Sequence, residues 1–305
     1  MKFSRRSFLC CTGSILGSGI LGSFSFEFRK KRDSVSNQIV TVGAHPWIYA
    51  AQLPGYDITP VLETIFQDMK HAHFDGIELM HHPLMDSRQV NLLKDLIDKY
   101  GLPVMGTSYG ANMWDRAQHS SILKDVRIIL DNLALVSGRT MGISVGNAES
   151  IKTGDQLDAQ AELLVEIRKM ARDRNIEINL HNHTYEVENE MHDLRGTLRR
   201  IPDISLGPDI NWLSRGGVDP VRFIIEFGKQ IVFMHLRDED QNGKWSESLG
   251  EGNTDFNAIA KALRKIDFQG DLVVELAHES GFKPTRPIRE SLSMSREYVK
   301  KVMGY

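Results

Sequence analysis

The feature that most constrains this chain is an alternation. From residue 39 onward, short runs rich in Val, Ile and Leu take turns with longer stretches whose apolar residues recur every three or four positions. The short runs are IVTVGAH (39–45), FDGIELM (74–80), LPVMGTSY (102–109), TMGISVG (140–146), IEINLHNH (176–183), ISLGPDIN (204–211), QIVFMHLR (230–237) and DLVVELA (271–277). Helical patterns lie between them, at 59–72, 87–100, 121–136, 156–173, 219–228 and 255–266. In the fourth, Leu157, Ala161, Leu164, Ile167 and Ala171 fall on one helix face. Thr59-Pro60 and Asp219-Pro220 mark helix starts, a capping side chain followed by proline where no N–H is needed. Units repeating every ~26–41 residues predict parallel strands joined by helical crossovers. Eight of them predict one (β/α)8 TIM barrel over residues 39–305. A doubly wound open sheet is the competitor, but no G-x-G-x-x-G follows the first strand and no G-x-x-x-x-G-K occurs.

The first 38 residues stand outside this pattern. SRRSFL (4–9) followed by a weakly apolar segment with small residues has the shape of an export signal. It resembles a twin-arginine signal, with Arg5 and Arg6 as the pair, and predicts a signal peptide over 1–25 and a linker over 26–38. The expected location is the periplasm, with no stable membrane insertion after cleavage and a membrane anchor if the signal is kept. Cys10 and Cys11, the only cysteines, lie in this segment, so the remainder forms no disulfide and no thiolate metal site. With 37 Lys and Arg against 40 Asp and Glu, the net charge of -3 gives no field that would draw nucleic acid.

In a (β/α)8 barrel the chemistry sits at the C-terminal ends of the strands. Here the first ends in His45, the second carries Glu78 with His81 and His82 after it, and the third ends near Ser108 and Tyr109. The fifth ends in His181 and His183, the sixth in Asp209, the seventh in His235 and Arg237, the eighth in Glu275. Residues two apart point the same way, so His181 and His183 share a face, as do His235 and Arg237. His181, Asp209, His235 and Glu275 come from four successive strands and together make a mixed nitrogen and oxygen shell suited to Mn²⁺, Co²⁺, Zn²⁺ or Mg²⁺. Glu275 stands in an otherwise apolar run, where a buried carboxylate needs a cation or several donors.

The segments FDGIEL (74–79), LHNH (180–183), PDINW…GGVDP (208–220), FMHLRD (233–238), LGEGNTDFNAIAKAL (249–263) and LVVELA (271–276) resemble, in order, the signatures of the xylose-isomerase-like TIM barrels, the sugar phosphate isomerase/epimerase superfamily. The resemblance implies one divalent metal on His181, Asp209, His235 and Glu275, and isomerisation or epimerisation beside a sugar carbonyl. Two positions depart from the pattern: epimerases of the family usually carry Glu where His181 stands, and many relatives carry a substrate-contacting His at the position of Trp212. The HNHTYE variant (181–186) resembles a subgroup associated with keto-sugar processing, which implies elimination or hydration as an alternative outcome.

The expected roles follow. His181, Asp209, His235 and Glu275 hold the metal, although strand parity leaves His183 as an alternative to His181. His183 and Glu186, with Glu275, are the acid/base candidates. Glu78, His45, Trp212 and Arg237 are the candidates for substrate contact, Glu78 being equally suited to pairing with Arg237 or another barrel cation. Trp47 and Trp114 are further platforms for a sugar ring. Asp238 is expected to orient a histidine through its second ring nitrogen. An exported enzyme meets few phosphorylated sugars, and LGEGN (249–253), the one glycine-rich loop placed to take a phosphate, carries Glu251. The expected partner is therefore an unphosphorylated small sugar, with homo-oligomer formation left open. A phosphodiester-cleaving enzyme on the same barrel and a non-catalytic sugar-binding barrel are the competing functions.

Overall fold

A computed structural model describes residues 40–279 and 281–305. The signal-like segment, the linker and both cysteines lie outside the described residues. Eight parallel strands are present: β1 (Thr41–His45), β2 (Gly76–Met80), β3 (Val104–Gly110), β4 (Thr140–Ser144), β5 (Glu177–Leu180), β6 (Ser205–Leu206), β7 (Phe233–Leu236) and β8 (Asp271–Glu275). They run in the order β6-β5-β4-β3-β2-β1-β8-β7, and the ends of that order meet through parallel bridges Leu206↔Ile231 and Asp209↔His235. The result is the expected (β/α)8 barrel.

The helices between the strands are α1 (Trp47–Ala50), α2 (Leu62–His71), α3 (Ser87–Tyr100), α4 (His119–Leu135), α5 (Gly154–Arg172), α6 (Thr184–Arg200), α7 (Ile210–Arg215), α8 (Pro220–Phe227), α9 (Phe256–Lys265) and α10 (Ile288–Tyr298). Among the described residues none is long and apolar enough to cross a membrane. Their boundaries follow local chemistry. The Thr153 and Gln156 side chains close a capping box at the start of α5, whose predicted face of Leu157, Ala161, Leu164, Ile167 and Ala171 is buried. Asp219 accepts N–H bonds from Val221 and Arg222 and opens α8, with Pro220 in the first turn, as expected. Thr59 departs from expectation: the Asp57 carboxylate takes its N–H, residues 59–61 form a 3-10 turn, and α2 begins at Leu62. The fifth and sixth strands are shorter than predicted. β5 ends at Leu180, before either histidine, and Pro208, which has no N–H to donate, stops β6 so that Asp209 becomes the cap of α7.

The interior of the barrel has two layers. Below, Met105, Phe233 and Val273 form a small apolar plug, separate from the large core between sheet and helices. Gly43 and Gly76 make room for it, since a Cβ at either position would meet Met105 Sδ at 2.4 and 2.8 Å. Above the plug, on the same inward faces, come His45, Glu78, His235 and Glu275, each buried. An apolar floor therefore carries a layer of ionisable groups at the C-terminal mouth.

Candidate metal centre and active site

At that mouth lies a cavity of about 210 Å³ whose lining includes His45, Trp47, Tyr109, His181, His183, His235 and Glu275. Ligand atoms of His181, Asp209 and His235 lie within 4.8 Å of one another. Glu275 lies beside this group, with Oε2 3.1 Å from His235 Nδ1. Nδ1 of His181 and Nδ1 of His235 approach to 3.2 Å. His183 stands one step away as the cap of α6, with its ring stacked on Tyr185, so the geometry puts His181 and not His183 in the cluster.

Several observations fit these residues to a divalent cation. Asp209 Oδ2 is buried with no hydrogen-bond partner, and its nearest cation, Arg237 Nη2, is 3.6 Å away. A buried carboxylate oxygen left so exposed to its own charge is costly unless a cation completes it. Counting charges points the same way. With His235 neutral, as a ligand imidazole must be, the buried carboxylates of Glu78, Asp209 and Glu275 against the guanidinium of Arg237 leave a formal excess of two negative charges, which a divalent ion matches. The ring nitrogens and carboxylate oxygens form a donor set suited to Zn²⁺, Mn²⁺ or Co²⁺ more than to Mg²⁺.

Electrostatics in the metal-free protein reflect the same crowding. Burial alone would lower the His235 imidazole, but the carboxylates of Glu78 and Glu275 on either side hold it up to about 9. Burial and the neighbouring His183 drive His181 well below its usual range, leaving a neutral imidazole with a free lone pair. Glu275 is pulled down well below the carboxylate range: burial opposes this, and Arg237, His235 and His45 overcome it. Burial pushes Asp209 up against the pull of Arg237. His183 is driven down to about 4 by burial.

The remaining expected site residues fall as follows. Glu78 does not line the cavity, and its partner in the barrel is His235 rather than Arg237. Its Oε2 meets His235 Nε2 at 2.5 Å, which leaves His235 Nδ1 pointing at the cluster. The part foreseen for Asp238 thus belongs to Glu78. Asp238 instead accepts backbone N–H bonds from Glu239, Gly250, Gly252 and Thr254 and ties down the loop before α9. Arg237 contacts no open surface, because its guanidinium is buried against Glu275 at 2.6 Å and stacks on Trp212 and Trp245. Trp212 sits beyond His183, 5.6 Å between ring centres. Glu186 lies behind the wall: Oε1 accepts from Ser144 Oγ and the Val145 N–H, Oε2 from the His183 N–H. Burial pushes it up to about 8 against those donors. His45 lines the cavity, with Nε2 3.1 Å from Ser108 Oγ.

Three contributors went unnoticed in the sequence. Ser144 and Tyr185 hydroxyls lie 3.1 and 3.2 Å from His183 Nδ1. Ser144 ends β4 and shares the inward parity of Gly142, a signal masked by the apolar look of GISVG. Trp245 stacks against Arg237 from a loop and had no periodic signal.

Residues 66–298 match the family model of the xylose isomerase-like TIM barrel. No curated protein matches the sequence. Solved structures do. A D-allulose 3-epimerase from Methylomonas sp., in complex with D-allulose, superposes with a TM-score of 0.70 at 19% identity, over 86% of this chain and 97% of its own. A 3-keto-D-glucoside 4-epimerase from E. coli gives 0.67 at 18%, over 85% and 100%. A sugar phosphate isomerase/epimerase from Parabacteroides distasonis gives 0.66 at 17%, over 88% and 97%. Identities this low speak for the shared fold, and the family model adds the lineage: the chain belongs to the xylose isomerase-like TIM barrel family.

Proposed function

We propose that this protein is a divalent-metal-dependent sugar isomerase or epimerase that acts by enolisation beside the carbonyl of an unphosphorylated keto-sugar. The observation that carries the reading is the convergence of His181, Asp209 and His235, with Glu275 against His235 and a buried Asp209 oxygen that has no hydrogen-bond partner. A cation held by these four would supply positive charge next to the oxygen on which negative charge develops. The chain's own groups supply the rest. Glu78 fixes the His235 ring, and Arg237 balances Asp209 and Glu275. Glu275 and the neutral His183 are the proton-carrying groups that face the cavity together with the ligands. The Ser144 and Tyr185 hydroxyls hold the His183 ring through its Nδ1, which leaves Nε2 for the substrate. The absence of a phosphate agrees with the loop at 249–253, whose Gly250 and Gly252 N–H groups are already taken by Asp238.

A hydratase or lyase acting on 3-keto-glycosides is a second reading, favoured by one observation. Glu275 is the single carboxylate lining the cavity among the described residues, where a symmetric two-carboxylate epimerase would present a pair. The twin-arginine-like segment supports export to the periplasm. The deciding experiment incubates metal-loaded protein with keto-sugars and 3-keto-glycosides in D₂O. Deuterium entering beside the carbonyl is the expected result, and product analysis separates an epimer from a hydrated or eliminated sugar. A protein that binds sugar without exchange and without metal would be a binding barrel instead.

A further inference from the structure

A second cavity, of about 430 Å³, opens beside the first at the same end of the barrel. One wall is the loop after β4, residues 147–152; the other comes from α6, which follows β5. Both segments leave the C-terminal ends of neighbouring strands, so the two cavities share the mouth of the barrel. A single layer separates them. Tyr185 lines the second cavity, while its hydroxyl bonds Ser144 and His183, both of which line the first.

The second cavity is a built feature. Helix α6 is broken after Val187 by three consecutive left-handed residues, Asn189, Glu190 and Met191, with φ of 52°, 59° and 60°. Such backbone is unfavourable for a residue with a side chain, and runs of it persist only where their surroundings hold them. Here the holding groups are His192, Asp193 and Lys152. Nε2 of His192 meets the Lys152 carbonyl at 2.9 Å, and Asp193 pairs with Lys152 Nζ at 2.5 Å. Lys152 is buried, and Gln160 accepts from a second of its three N–H donors. The turn delivers Glu188, Asn189 and His192 to one wall, opposite Asn147. At the rim, Trp114 Nε1 donates to the Asn147 carbonyl.

This lining selects by chemistry. Carboxylates of Glu149 and Glu188 disfavour an anion, and the Lys152 charge is matched by Asp193. Amide, carboxylate and imidazole groups beside a tyrosine ring instead suit a neutral group dense in hydroxyls. The volume lies within the range of roughly 300–1,000 Å³ of small-ligand sites. We propose that the second cavity is a subsite for a glycosyl substituent, so that the preferred substrate is a disaccharide or other glycoside whose reacting sugar sits at the metal centre and whose second sugar lies across Tyr185. This rests on the sugar-active reading above and deepens it.

The test compares 3-keto-cellobiose with methyl 3-keto-glucoside on the metal-loaded full chain, by deuterium exchange and by saturation-transfer NMR binding of cellobiose and methyl glucoside. Two variants act on the cavity alone: Ala148→Trp, which fills it from the loop, and Glu188→Ala at an exposed position. The expected kcat/KM ratio favours the disaccharide at least tenfold, and A148W brings that ratio close to one. E188A lowers it severalfold and guards against misfolding of the first variant. Equal kcat/KM for both sugars in the wild type, or a ratio unmoved by both variants, overturns the subsite. If no sugar exchanges deuterium the enzymatic reading fails separately, and binding still decides the subsite: cellobiose held more tightly than methyl glucoside, and released by A148W, supports it; equal binding overturns it.

Discussion

The two layers inside the barrel lie two residues apart along each strand, roughly 6.7 Å, yet they differ in what they contribute. Phe233 and Val273 are followed on the same inward faces by His235 and Glu275. The lower layer fills volume around Met105 and stabilises the sheet by burial. The upper layer gathers carboxylates and imidazoles whose mutual burial costs stability and leaves one oxygen of Asp209 and one of Glu275 without a hydrogen bond. The lesson is that the strand scaffold is common to both, and the step from packing to chemistry is a single inward position.

Three substitutions would break or sharpen this contrast. Phe233→Ala empties the plug and is expected to lower unfolding stability by about 3–5 kcal/mol, measured by urea denaturation, with metal affinity of the folded fraction retained; an effect below 1 kcal/mol would mean the floor is not packed as described. Asp209→Asn leaves an Oδ1 that can still cap α7 but removes the charge from the unpartnered oxygen. Metal affinity should fall by roughly 100-fold or more, about 2.7 kcal/mol, by isothermal titration, while the melting temperature of the metal-free protein stays within a few degrees. Unchanged affinity would remove Asp209 from the ligand set. Glu78→Gln keeps the shape of the contact to His235 and weakens its charge. A loss of about 10–100-fold in metal affinity is expected, rescued in part by Glu78→Asp; a change confined to substrate KM would instead make Glu78 a substrate contact.

Much of this was legible in the sequence, and the misses have a common cause. Parity along a strand reads which residues face inward, and it found His181, His235 and Glu275 because each lies on or just past a regular strand. It does not read which inward residues meet across the barrel. Glu78 and His235 are 157 positions apart, and their contact depends on the register of the whole sheet. Asp238, one position beyond Arg237, has the other parity and turns away to the loop amides. Side chains that compete with the backbone were the other blind spot, as when Asp57 took the Thr59 N–H and delayed α2 by three residues. The left-handed turn in α6 has no glycine to announce it.

The seam between β6 and β7 now takes on a further meaning. Between β1 and β8 five registered pairs follow one another, whereas β6 is two residues long and its side of the barrel meets the β7 side through isolated bridges. One of those bridges joins Asp209 to His235, so two of the four candidate ligands stand on opposite sides of the weakest join in the barrel. An ion held by ligands from both banks would tie the two sides of the seam together. The ion would then act as a clasp, and the amides of the seam would be the first to exchange with solvent when it is taken away.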